Sequence, residues 1–132
     1  MRPVHVFPDV MAGAVAWLTA RCGVPVTASS RVAPSGQFIR VRQIGGRQGP
    51  EPLEAVVNLE VQACAPPGDI AGARLLSSRV DRAMSLLLAD GPPGMPVDFA
   101  ECTAMPIYDP EPDGSAERFH ATWTLHLRAL TA

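Results

Sequence analysis

The sequence contains no lysine, and its eleven basic residues are all arginine. Arginine favours planar, multi-donor contacts to carboxylates and carbonyl oxygens over a diffuse, solvated charge. A second explanation stays open, because alanine, glycine and proline are also abundant and a GC-rich coding sequence writes arginine in place of lysine. Thirteen acidic residues outnumber the arginines and set the net charge at -2. Without an excess of positive charge, the composition argues against a dedicated nucleic-acid binder.

Cysteine is scarce, and the chain has no long hydrophobic run. The three cysteines, Cys22, Cys64 and Cys102, form no CxxC or CxxH pair, so neither a disulfide framework nor a zinc site is predicted. They are expected to be small buried side chains in a reducing compartment. The apolar run Val10–Ala20 is too short to span a bilayer, and the acidic Asp9 precedes it where a signal peptide carries positive charge. No export signal or membrane segment is predicted.

The 132 residues, 47% of them hydrophobic and 18% charged, predict one globular domain over residues 1–132. Apolar residues at spacings of three and four predict helices over Asp9–Cys22 and Ile70–Leu88. Alternation of apolar and polar residues predicts the strands Gln37–Ile44, Glu54–Cys64, Met95–Tyr108 and Arg118–Arg128, and Val24–Ser29, with Pro25, is expected to start a strand or lie at a sheet edge. We therefore expect an α+β fold in two layers, a mainly antiparallel sheet of about five strands with two helices packed on one face.

The first hairpin carries two more detailed expectations. Ile39 and Val41 are predicted to be buried, with Arg40 and its neighbours on the opposite face of the strand. The segment Gly45–Pro52, GGRQGPEP, is rich in glycine and proline and is predicted to be a mobile hairpin tip. Such a tip usually becomes ordered by contacting another chain, so Arg47, Gln48 and Glu51 are expected to touch a neighbouring protein.

No catalytic motif is present in the sequence. GGRQG at residues 45–49 lacks the pattern of a phosphate-binding loop, and no serine lies in a GxSxG elbow. His120 and His126 lie on one predicted strand, about 20 Å apart, too far to share a metal ion. We therefore expect no catalytic residues, no metal or cofactor site, and no enzyme activity.

Charged residues cluster at two places in the chain. The first hairpin is basic, through Arg31, Arg40, Arg42 and Arg47, and the last loop is acidic, through Asp109, Glu111, Asp113 and Glu117. Oppositely charged ends of a subunit suit head-to-tail association, which closes into a ring when the rotation between subunits fits. Two unrelated solvated loops would produce the same charge pattern, and the sequence favours neither explanation.

Five segments of the chain together resemble one known family. They are FPDVMAGAVAWLTAR near the start, then QFIRVRQIGG, VVNLEVQAC and LLSSRVDRAMSLL, and YDPEPDGSAERFHATWTLHLRAL at the end. In the order of their elements, their length and their general sequence character, these segments are similar to tail terminator, or tail completion, proteins of long-tailed phages, in the form carried by phages of actinobacteria. The resemblance covers almost the whole chain.

The resemblance implies a structural virion protein of the phage tail and neck, assembled in the host cytoplasm. Such proteins form a hexameric ring that caps the tail tube, stops its polymerisation and joins the head connector. The implied partners are further copies of the chain, the tail tube protein and a connector or head-closure protein; DNA is allowed to pass through the ring, without sequence-specific binding. Two alternatives remain: another neck or head-closure connector protein, and a small dimeric ligand-binding or enzymatic α+β domain.

Overall fold

A computed structural model of the chain describes residues 5–6, 9–28, 35–48, 54–91, 95–128 and 130–131. The helices are α1, Val10–Cys22, α2, Ile70–Ser85, and the short α3, Leu87–Asp90. The strands are β1, His5–Val6, β2, Val26–Thr27, β3, Phe38–Gln48, β4, Glu54–Ala65, β5, Val97–Tyr108, β6, Glu117–Arg128, and β7, Leu130–Thr131.

Five strands form one sheet in the order β2-β3-β4-β6-β5. The ladders β3–β4, β4–β6 and β5–β6 are antiparallel, and the two-residue β2 pairs parallel with β3 at the edge. In addition, β1 pairs with β7 in a separate two-stranded ladder. The predicted α+β fold is confirmed, and the Pro25 segment lies at a sheet edge as expected.

Side-chain caps explain where the two main helices begin. The Asp9 carboxylate accepts a hydrogen bond from the Ala12 amide at 3.0 Å, and the Asp69 carboxylate accepts one from the Gly72 amide at 2.9 Å. α1 ends at Gly23, whose φ of 68° is the left-handed conformation that glycine adopts without strain. α2 stops at Ser85, three residues before the predicted end, and the chain turns at Leu86 into α3.

The core lies between the two helices and one face of the sheet. Leu18 of α1, Leu76 of α2 and Ile39, Leu59 and Leu125 of the sheet are almost wholly buried in it. The predicted apolar faces of β4 and β6 are therefore confirmed, since their alternate residues point to the helices. The opposite face of the sheet is called the outer face below.

At its first residues β3 is buried on both faces, whereas the sequence predicted burial of one face only. Ile39 and Val41 are buried as predicted, but Phe38 and Arg40 on the outer face are buried as well. The loop after β5 covers them: Ala116 packs with Phe38 and Cys64 in a small second cluster. Both faces of the sheet are therefore covered at this end.

The prediction that Gly45–Pro52 is a hairpin tip is wrong for its first four residues. Gly45–Gln48 continue β3 and pair with β4 after a register shift between Gln43 and Gly45. A glycine is required at position 46, because a Cβ there would lie 2.5 Å from the carbonyl oxygen of Val56. Glycine here permits a close approach of two strands rather than a turn; residues 49–53 lie outside the described part of the chain.

Candidate assembly surface

The outer face of the sheet is ordered in rows, because residues paired across a ladder lie side by side on the same face. Four such rows cross β3, β4, β6 and β5 in that order. They are Arg47–Val56–His126–Phe99, Gly45–Asn58–Thr124–Glu101, Arg42–Glu60–Thr122–Ala104 and Arg40–Gln62–His120–Ile107. Most of the polar side chains that the sequence analysis singled out lie on this face or on the loop beside it.

A network of charged groups joins the outer face to the loop after β5. One Glu111 carboxylate oxygen lies 2.7 Å from Arg40 Nη1 and 3.2 Å from Arg118 Nη1. Arg40 also donates to the Gln62 side chain at 3.0 Å. The Arg40 and Glu111 side chains are only 8% and 18% exposed. This pair therefore closes the loop over the sheet within the chain.

The network continues along β6 to the start of the loop. Arg118 donates to the Asp109 carboxylate at 3.1 Å and to its carbonyl oxygen at 2.8 Å. His120 Nε2 lies 3.3 Å from the same carboxylate. Asp109 is thus held by two side chains of β6, and about half of its own side chain stays exposed.

The other two acidic residues of the predicted cluster have local partners. Asp113 accepts a hydrogen bond from the Ser115 amide at 2.9 Å, and the hydrogen bonds from Ser115 lower the pKa of the Asp113 carboxyl. Glu117 accepts from the Tyr108 hydroxyl at 2.7 Å, which raises the pKa of that tyrosine, and from the Gly68 amide at 3.3 Å. Both carboxylates remain without an ion pair among the described residues.

The basic residues of the first hairpin are spread along β3. Arg42 is 52% exposed, and its Nε lies 3.8 Å from Glu60. Arg47 is exposed near the far end of the hairpin, and Gln48 is the last residue of β3. Arg31 and Glu51 lie outside the described residues.

The expectation of oppositely charged ends is therefore wrong for part of each cluster. Arg40 of the basic cluster and Glu111 of the acidic one meet within the same chain, because the loop folds back over β3. Arg42 and Arg47 remain exposed and stay candidates for an interface.

The structure adds a surface that the sequence analysis missed, the edge of the sheet at β5, beside which no described strand lies. Phe99, Met105, Ile107 and Tyr108 of this strand are 44% to 78% exposed. Three register shifts against β6 interrupt its alternation, which is why the pattern was weak in sequence. A long edge strand with exposed apolar side chains is a ready surface for pairing with another chain.

A depression of about 250 Å³ opens at the hairpin end of the sheet. Its wall includes Arg47, Glu54, Asp98 and His126. Asp98 is paired with Arg128 at 2.6 Å, and the His126 ring meets Phe99 edge-on, with ring centroids 5.5 Å apart. The depression is thus lined by a histidine and two carboxylates, of which Asp98 is paired with Arg128.

Buried cysteine is the remaining feature with distinctive chemistry. Cys22 and Cys64 are buried as expected, whereas Cys102 is half-buried. Burial raises the pKa of all three thiols, and that of Cys64 to about 11. At neutral pH the thiols are therefore protonated and weakly nucleophilic.

Within the described ranges, no group of three or more histidine, cysteine, aspartate or glutamate residues is arranged to hold a metal ion. No helix in the described part of the chain is long and apolar enough to cross a membrane. No protein-family model matches the chain, and no curated protein sequence is significantly similar to it.

Proposed function

We propose that this protein is a structural subunit of a phage neck, a tail terminator that forms a ring on the last tail-tube ring. The observation that carries the proposal is the resemblance of five segments across the chain to that family. The ring stops tube polymerisation and joins the tail to the head connector. We propose that the protein is located in the virion.

The fold supports this role through the surfaces it leaves open. A ring subunit needs two different patches that fit each other, since each copy contacts one neighbour on either side. The sheet has two different exposed borders: the apolar strand β5, and the part of β3 that carries Arg42 and Arg47. Arg40 and Glu111 contribute to the subunit itself by anchoring the loop.

Native mass spectrometry and negative-stain imaging test the proposal directly. The purified chain, alone and mixed with tubes of the tail tube protein from the same phage, is expected to form rings of six times its 14.0 kDa mass. Rings should be seen at one end of the tubes, and added protein should arrest tube growth. A chain that stays monomeric and leaves tube growth unchanged would show that the proposal is wrong.

The depression beside His126 favours a second, competing function, a small ligand-binding or enzymatic domain. Its histidine and carboxylates are groups that bind or transfer protons. The two functions predict different results for the purified protein. A dimer that retains a small molecule through purification, in contact with His126, would support the ligand-binding function over the ring.

A further inference from the structure

Within the described part of the chain, the five-stranded sheet has two open borders with different chemistry. β5 forms one border along its whole length. At the other border, β2 pairs with β3 at Ile39 and Arg40, and no described strand pairs with β3 beyond them. On their outer sides, Arg42–Gln48 and β5 therefore have no described strand to take up the amide and carbonyl groups that point away from the sheet.

The two borders carry opposite charge. β5 contains Asp98 and Glu101 and no basic residue, whereas residues 41–48 contain Arg42 and Arg47 and no acidic residue. Each border also exposes a large apolar side chain, Phe99 at 48% and Ile44 at 45%. The borders are thus complementary to each other and repel their own kind.

The rows of the outer face place these groups at matching positions along the strands. Glu101 lies in the same row as Gly45, and that row lies between the rows of Arg42 and Arg47. If a second copy lay beside the first with no shift along the strand direction, Glu101 of one copy would lie opposite Gly45 of the other. Diagonal neighbours in a ladder are about 7–8 Å apart, within reach of an arginine side chain. Glu101 would then lie between two arginines of the adjacent copy.

The strand directions also fit a closed ring. Three antiparallel ladders separate β3 from β5, so the two border strands run in opposite directions. Rotation about an axis along the strands keeps these directions. β5 of one copy would therefore meet β3 of the next as an antiparallel pair, the more stable kind of pairing.

Irregularities confine the pairing to a short stretch. Phe99–Cys102 run in regular register with β6, between two register shifts, and Pro106 has no amide hydrogen to donate. On β3 the regular stretch is Gly45–Gln48, after its own shift. Bulges and prolines are the features with which natural edge strands limit unwanted pairing. The two regular stretches overlap over three rows, in which Phe99, Ala100 and Glu101 lie level with Arg47, Gly46 and Gly45.

We infer that subunits join edge to edge, with Phe99–Glu101 of one copy paired antiparallel to Gly45–Arg47 of a second copy, and Glu101 held between Arg42 and Arg47. This inference rests on the proposed ring and names the interface that builds it. The sheet then continues from subunit to subunit around the ring.

Charge reversal at the two borders tests the pairing in the full chain. Arg47→Glu and Glu101→Arg alter side chains that form no ion pair with a described residue, so the subunit fold is expected to persist. Each variant alone brings like charges together at every contact. We expect either one to need a roughly tenfold or higher concentration for half-assembly, a change worth about 1.4 kcal/mol. Native mass spectrometry measures the assembled fraction.

An equal mixture of the two variants is the decisive sample. In a ring where they alternate, each unchanged border meets an unchanged border and each reversed border meets a reversed one. Assembly should rise well above that of either variant alone, with equal numbers of both variants in each ring, although Arg42 still faces a like charge at position 101 in each reversed contact. A matched control, Arg79→Glu on the exposed side of α2, should assemble like the wild type.

The outcomes separate the interface from the function. If the wild type forms rings and both single variants form them equally well, the edge pairing is wrong while the ring proposal stands. If both variants lose assembly and the mixture does not restore it, head-to-tail pairing of these borders is also wrong. A wild type that neither forms rings nor caps tubes overturns the proposed function and this inference together. Circular dichroism melts of each variant check folding, and rescue by mixing requires folded subunits.

Discussion

Arg40 and Glu111 show how one buried ion pair links parts of the chain 71 residues apart. We predict that Glu111→Gln lowers the free energy of unfolding by about 1–3 kcal/mol, because Arg40 and Arg118 lose their shared anion in a mostly dehydrated site. Urea denaturation measures the change. Asp113→Asn in the same loop is the matched control and should alter stability far less, since Asp113 forms no ion pair with a described residue. Equal losses in both variants would contradict the assignment.

The same pair changes how substitutions on β3 should be interpreted. From sequence, Arg40→Glu and Arg42→Glu are both expected to weaken assembly by acting at an interface. In the structure Arg40→Glu would place two carboxylates together in a buried site and damage the subunit itself. Arg42 is exposed, so of the two substitutions Arg42→Glu is the one that would test the proposed interface without disturbing the core.

The raised pKa of the Cys64 thiol predicts that the folded chain loses stability at alkaline pH. Burial raises its pKa from 9.0 to about 11, so between these values the folded chain keeps a proton that the unfolded chain releases. Unfolding is therefore favoured as pH rises through this window. At pH 10.5 the loss attributable to Cys64 is on the order of 1–2 kcal/mol. Urea denaturation at pH 8 and pH 10.5 should show a smaller loss in Cys64→Ala than in the wild type; identical pH dependence would refute this origin.

At the scale of elements, β4 and β6 could be predicted because each has one face on the helices. Their alternation of buried and polar residues follows from that single contact. The helices were predictable for a similar reason, from an apolar stripe and a capping aspartate. Elements whose environment is uniform along their length can be recognised from local pattern alone.

β3 and β5 could be predicted only in part, because distant segments determine their surroundings. Arg40 is buried by a loop that follows β5, and no local pattern shows that contact. β5 has three register shifts, which break the alternation that marks a strand. The candidate interface was half-predicted for the same reason: Arg42 and Arg47 stood out by charge, whereas Glu101 matters only once β5 is known to be a border.

At the scale of the whole molecule, two kinds of electrostatic contact should respond differently to salt. Between about 0.1 M and 1 M sodium chloride the Debye length falls from about 10 Å to about 3 Å, which screens exposed charges far more than buried ones. The Arg40–Glu111 pair inside the subunit is mostly shielded from water, whereas Arg42 is half exposed. We therefore predict that added salt lowers the assembled fraction while the melting temperature of the subunit changes little.

The apolar core provides the internal reference for this comparison. Phe119, Trp123 and Leu125 are buried within the subunit, so their contribution should not weaken with salt. Native mass spectrometry at each salt concentration measures assembly, and circular dichroism measures melting of the same samples. Assembly that stays constant or strengthens as salt rises would contradict a charge-dependent border. In that case the exposed Phe99 and Ile44 would form the contact, because apolar contacts are not screened by ions. Arg47→Glu would then leave assembly intact.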